Sequence, residues 1–306
     1  MVLIAGGRLR LNVADDDFVR PWRPHETVVL QHGFCRNGGF WAPWVPYLGH
    51  EFRVLRPDLR GCGKSSDPGP DYELTIDDYV DDLIRVMDQL EVDSAHYIGE
   101  ATGAFIGMAA AARHPGRIRS LTLFNTPSGA DHRTREVFAL GYPSWAAAVR
   151  DLGVEGWWRQ AGAAAGRGGS HASEDRAAAE HYAREVGRTP VHVAIAMLSL
   201  SSAIDVPSLL RGVSVPTRFL TTTRYSFNTS REQLESLARH VPGAVIKEFD
   251  VRNRGGLYCF HDSETIAPEV IEFLRSVDGP GARAGSLQCP KSTVPERAST
   301  RGCGPT

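Results

Sequence analysis

The stretch of this chain nearest to a reactive centre is Tyr97-Ile98-Gly99-Glu100-Ala101-Thr102-Gly103. A strand-like apolar run ends there and a helix-like apolar run begins. Gly99 and Gly103 bracket one central residue, the spacing of a nucleophile elbow, G-x-S-x-G, in which a sharp strand-to-helix turn lifts a Ser Oγ above a parallel sheet. Glycines are needed because the turn is strained and the backbones crowd. A Ser at the centre would attack an acyl carbon. Here the centre is Ala101, and a methyl group attacks nothing. Thr102 carries a hydroxyl one residue on, but in such a turn its side chain points into the packing between helix and sheet. Cys35, Cys62 and Cys259 read as packing residues, because a nucleophilic thiolate needs a lowered pKa and a His in reach. His171 and His181 lack metal-ligand spacing, so no metal site is expected. No G-x-G-x-x-G follows a strand, and no cofactor is expected.

Such an elbow must be carried by a sheet, and the surrounding pattern supplies one. Thr27–Gln31 and Phe52–Arg56 are compact strand runs. Thr75 opens a helix with Asp78 in its first turn, and Ile76, Tyr79, Val80, Leu83, Met87 and Leu90 form one apolar face. Ala95–Ile98 is a strand, Ala104–Arg113 a helix buried nearly all round, and Ile118–Phe124 another strand. The alternation predicts an α/β fold: a mostly parallel central sheet flanked by helices. A helical cap, residues 128–205, is expected after the sixth strand, with helical periodicity at 144–160 and 174–200 and a Gly/Ala-rich, mobile stretch at 162–173. The pattern resumes with a strand at Thr217–Leu220, a helix near 230–240, a strand at 244–249 and a last helix near 268–276. The expected core is thus 1–127 with 206–278, and a disordered tail is expected over 279–306.

Among 306 residues, 42% are hydrophobic and the net charge is -2, enough for a sizeable core and without a nucleic-acid-binding face. No apolar run reaches the length of a membrane span, and the N-terminus lacks a basic n-region before an apolar stretch. Five scattered Cys argue for a reducing compartment. A cytoplasmic protein with a small-molecule ligand and no membrane partner is expected; oligomeric state is not legible.

Four segments in this order resemble the α/β-hydrolase superfamily over roughly residues 25–277. His32-Gly33-Phe34 is similar to its oxyanion-loop HG motif, and Asp58-Leu59-Arg60-Gly61-Cys62-Gly63-Lys64-Ser65 to its D-x-R-G-x-G-x-S loop. Gly99–Gly103 is the elbow, and His261 stands where the family places its catalytic His. The resemblance implies an oxyanion hole framed by His32 and Gly33, with the backbone N–H groups of Phe34 and Thr102 as donors. It implies structural roles for Glu100, Asp58, Arg60 and Lys64, and it makes Trp41, Trp44, Trp145, Trp157 and Trp158 candidates for lining a pocket or for core.

Two departures bear on the reaction. The elbow Ser is Ala101, and the segment that carries the family's acid, Thr221–Ser226, holds no carboxylate. The alternative acid position is Asn125, which can orient an imidazole but cannot stabilise imidazolium; Asp131 and Asp262 are the nearest carboxylates by sequence. Three readings remain. If Ala101 replaces an engineered Ser, the reaction is ester, lactone or carbon–carbon hydrolysis through an acyl-enzyme. If Ala101 is natural, His261 assists non-covalent chemistry on a small carbonyl compound: proton abstraction, elimination, decarboxylation, cofactor-free oxygenation or activation of water. The third reading is a non-catalytic ligand-binding pseudo-hydrolase.

Overall fold

The computed structural model describes residues 2–6, 9–127, 132–164, 176–223, 231–251 and 257–282. Eight strands form one sheet: β1 (Val2–Gly6), β2 (Leu9–Asp16), β3 (Thr27–Gln31), β4 (Arg53–Pro57), β5 (Ala95–Glu100), β6 (Ile118–Phe124), β7 (Thr217–Thr222) and β8 (Val245–Phe249). Their order is β1-β2-β4-β3-β5-β6-β7-β8. β1 and β2 join as antiparallel strands at one edge, and every pairing from β4 to β8 is parallel. All residues of β3 and β5 are buried, as expected of parallel strands covered on both faces.

Helices fill the crossovers. The first are α1 (Val45–Leu48), α2 (Ile76–Gln89) and α3 (Thr102–Arg113). Thr75 and Asp78 close a reciprocal capping box at the start of α2. Between β6 and β7 come α4 (His132–Ala139), α5 (Trp145–Ala164), α6 (Arg176–Gly187), α7 (Val191–Ala203) and α8 (Val206–Leu210). The periodic run expected at 174–200 is two helices, because Pro190 has no N–H to continue a helix and caps α7 instead. α5 breaks at Gly153, which has φ 68°. The rest are α9 (Arg231–Ala238), α10 (Tyr258–His261) and α11 (Ser263–Ala282). α11 corrects two expectations: it starts five residues before 268, and it takes in residues 279–282 assigned to a tail. Residues 283–306, and 165–175 of the stretch expected to be mobile, lie outside the described residues. Among the described residues no helix is long and apolar enough to cross a membrane.

Register decides what meets at the carboxyl ends of the strands. Gln31 pairs with Gly99, and Glu100 pairs with Phe124. The segments that leave β3, β5 and β6, beginning at His32, Ala101 and Asn125, therefore emerge side by side. The crevice at such strand ends is where open α/β sheets bind ligands.

Candidate active site

The loop after β3 and the turn after β5 are locked together by contact. A Cβ on Gly33 would lie 2.4 Å from Glu100 Oε2 and 2.9 Å from Ala101 Cβ, so this position admits only glycine. A Cβ on Gly103 would lie 2.5 Å from the Gln31 carbonyl oxygen, which lets α3 begin directly against the end of β3. Ala101 takes φ 50° and ψ −111°, a strained conformation for a residue with a Cβ. It is held there at both ends: its N–H donates to the Phe124 carbonyl at 3.1 Å, and its own carbonyl accepts from the Ala104 N–H at 2.9 Å. Cys35 and Asn125 share the positive-φ region, at φ 55° and 46°. Strain thus gathers on the three loops that meet here, while the Ala101 methyl itself is half-buried.

His32 is fully buried, and both ring nitrogens are spent on backbone. The Leu59 N–H donates to Nε2 at 2.9 Å, so the proton sits on Nδ1, which lies 2.9 Å from the Gly33 carbonyl oxygen. Burial holds its pKa down at about 4, so the ring is neutral at pH 7. Its imidazole thus ties the HG loop to the loop after β4 and fixes the backbone of the loop that begins at His32. The oxyanion donors fare differently. Among the described residues, neither the Phe34 N–H nor the Thr102 N–H donates to another group of the protein. Thr102 is the first residue of α3, whose leading N–H groups have no intrahelical acceptor.

Beneath these donors lies a charged pair that the sequence reading passed over. Arg36 and Glu100 are 3% and 1% exposed, with Arg36 Nη1 3.0 Å from Glu100 Oε2. Burial pushes the Glu100 carboxyl upward, while Arg36, the Asn125 side chain and the Gly33 N–H favour its charged form. The Asn125 amide donates to Glu100 Oε1 at 3.3 Å. Glu100 therefore ties the HG loop, the elbow and the end of β6. A signal existed: a Glu in a fully buried strand end requires a cation, and Arg36 follows the HG motif by three residues.

The helices between β6 and β7 lean on the same loop. Thr189 Oγ1 donates to the Cys35 carbonyl at 3.3 Å, and the Asn37 amide donates to Glu185 at 3.0 Å. Phe34 meets Trp145 and Trp157 edge-on at 5.5 and 5.7 Å between ring centroids. The Arg36 guanidinium lies over Trp158 at 5.3 Å and Phe260 at 5.8 Å. Trp41 and Trp44 belong instead to the core, packed on Phe124. His261 ends α10; its ring is half-buried and meets Tyr182 of α6 edge-on at 5.3 Å. Asp131 lies outside the described residues. Cys35, Cys62 and Cys259 are buried thiols outside any disulfide, pushed upward by burial, Cys62 to about 12, so none is a ready thiolate.

This architecture is shared with known proteins. The enol-lactonase of Burkholderia xenovorans LB400 superposes with a TM-score of 0.69 over 90% of this chain and 100% of its own, at 24% identity. A thermophilic esterase of Thermogutta terrifontis gives a TM-score of 0.70 over 91% and 99%, also at 24% identity. At these identities the likeness is one of fold. A family model described as alpha/beta hydrolase fold matches residues 26–155. The chain has the α/β-hydrolase fold. Two curated relatives of this chain carry the name "Putative carbamate hydrolase RutD": that of Caulobacter segnis is 34% identical over 118 residues, and that of Caulobacter sp. strain K31 is 36% identical over 118. Each match spans 39% of this chain and 44% of the relative, less than half of either.

Proposed function

We propose that this protein of α/β-hydrolase fold binds a small carbonyl compound over Ala101 and transforms it with His261 as proton carrier, without an acyl-enzyme. The observation that carries this reading is the pair of uncommitted N–H groups, Phe34 and Thr102, beside a strained and half-buried methyl. Two backbone donors aimed at one oxygen stabilise the negative charge that grows on a carbonyl as it becomes an enolate or a tetrahedral centre. Backbone donors survive the replacement of Ser by Ala, whereas nucleophilic attack does not. The names of the relatives support a carbonyl ligand, since carbamate, ester and enol-lactone all contain one. Proton abstraction, elimination, decarboxylation, cofactor-free oxygenation and direct hydrolysis by water all draw on the same two elements, an oxyanion site and an imidazole. A Ser at 101 would add the acyl-enzyme route to esters, lactones and carbon–carbon bonds.

A second reading, a pseudo-hydrolase that binds and does not react, draws on a different observation: the usual acid segment has no carboxylate, and the Asn125 amide is given to Glu100. Turnover separates the two. Ketones, β-keto acids, esters, lactones and carbamates are incubated with the protein in deuterium oxide and followed by proton NMR. Deuterium uptake beside a carbonyl, loss of carbon dioxide or cleavage is expected for one class, and His261→Ala is expected to slow it at least tenfold. Unchanged turnover in His261→Ala would remove the imidazole from the reaction. Saturable binding with no turnover of any class would leave the receptor.

A further inference from the structure

Arg36 is the cation nearest the elbow in the contacts of this site, and its guanidinium is under-used. Of its five side-chain N–H bonds, one is engaged among the described residues, from Nη1 to Glu100 Oε2 at 3.0 Å. Nε is sealed from solvent without a partner. Nη2 also has no partner among the described residues, yet it is not among the sealed atoms, so the small exposure that Arg36 retains includes the Nη2 end of the fork. Glu100 does not fully cancel this charge, because it also serves the Asn125 amide and the Gly33 N–H. The ring faces of Trp158 and Phe260, at 5.3 and 5.8 Å from the guanidinium carbon, keep it from water. A planar cation so held is costly to bury, and its one open nitrogen, Nη2, can donate to a carboxylate oxygen. Its position is equally specific: it lies between Glu100, next to Ala101, and Phe260, next to His261.

Building on the carbonyl-binding reading above, we infer that Arg36 selects the ligand. The substrate class is an anionic carbonyl compound, with a carboxylate beside the carbonyl: the oxygen of the carbonyl sits on the Phe34 and Thr102 N–H groups and the carboxylate sits on Nη2 of Arg36. This deepens the proposed function by naming what distinguishes the ligand from a neutral ester or ketone. It also gives the buried Arg36–Glu100 pair a purpose that stability alone does not supply, since a buried ion pair gives the fold little net stability.

The test is calorimetric titration of the full chain with 2-oxobutanoate and phenyl-2-oxoacetate, each against its methyl ester. The acid is expected to bind at least tenfold tighter than its ester. A double variant, Arg36→Met with Glu100→Gln, removes both charges together and avoids leaving a buried carboxylate alone. In it the acid is expected to lose its advantage over the ester. Circular dichroism and the unfolding midpoint establish that the variant is folded; Arg36→Lys, which keeps the charge and loses the fork, is the substitute if it is not, and a tenfold loss of acid binding is expected there. Equal affinity for acid and ester in the parent, or an advantage that persists in the variant, overturns the role of Arg36 and leaves carbonyl binding standing. Failure of both acid and ester to bind overturns both.

Discussion

His32 illustrates how a residue with chemical potential is consumed by architecture. Its two nitrogens satisfy the Leu59 N–H and the Gly33 carbonyl in a fully buried setting. His32→Ala should orphan both and cost about 3 kcal/mol at pH 7.5, measured by urea unfolding. The same measurement has a pH signature. The folded-state pKa of about 4 lies below the unfolded value near 6.5, so the stability from the neutral ring is complete above pH 6.5 and is lost as pH falls towards 4. At pH 5 the gap between parent and His32→Ala should therefore shrink by about 2 kcal/mol. Ala101 gives the opposite case, a residue held where it does not want to be. Ala101→Gly should relieve φ 50° and raise stability by about 1 kcal/mol net of chain entropy; a loss would show that the turn is unstrained. The HG motif and the elbow glycines were legible because a glycine pressed against a carbonyl tolerates no substitute. The committed state of His32 was not, because its partners come from a loop 27 residues away. Arg36 was missed for a related reason: a loop arginine reads as solvated until the fold surrounds it with Trp158, Phe260 and Glu100.

At the scale of elements, strand and helix order could be read because the buried parallel strands are short apolar runs and α2 carries one apolar face with its own capping box. Breaks were harder to see. Pro190 divides one long periodic run into α6 and α7, and Gly153 interrupts α5, although neither residue alters the apolar periodicity. These breaks let α5 and α6 turn towards the HG loop, where Trp157 packs on Phe34 and donates from Nε1 to the Phe138 carbonyl at 2.9 Å. Trp157→Ala should cost about 4 kcal/mol in unfolding free energy through the cavity and the lost hydrogen bond. It should also free Phe34, so hydrogen exchange at the Phe34 N–H should quicken relative to amides of β3. Stability loss with unchanged exchange at Phe34 would mean that these helices do not hold the oxyanion loop.

Across the whole molecule, an eight-stranded sheet whose register aligns the ends of β3, β5 and β6 delivers three strained loops to one place. The elbow position holds a methyl beside two backbone donors and above a buried guanidinium–carboxylate pair, and the proposed chemistry adds the His261 imidazole of α10 to them. The central claim is that the two donors are uncommitted and receive a carbonyl oxygen. Amide proton and nitrogen NMR during titration with small carbonyl compounds tests it most directly. The Phe34 and Thr102 amide protons should exchange readily in the free protein, then move downfield together and saturate as ligand is added. If both are already protected without ligand, or stay fixed while binding shifts resonances elsewhere, no oxyanion site exists over Ala101.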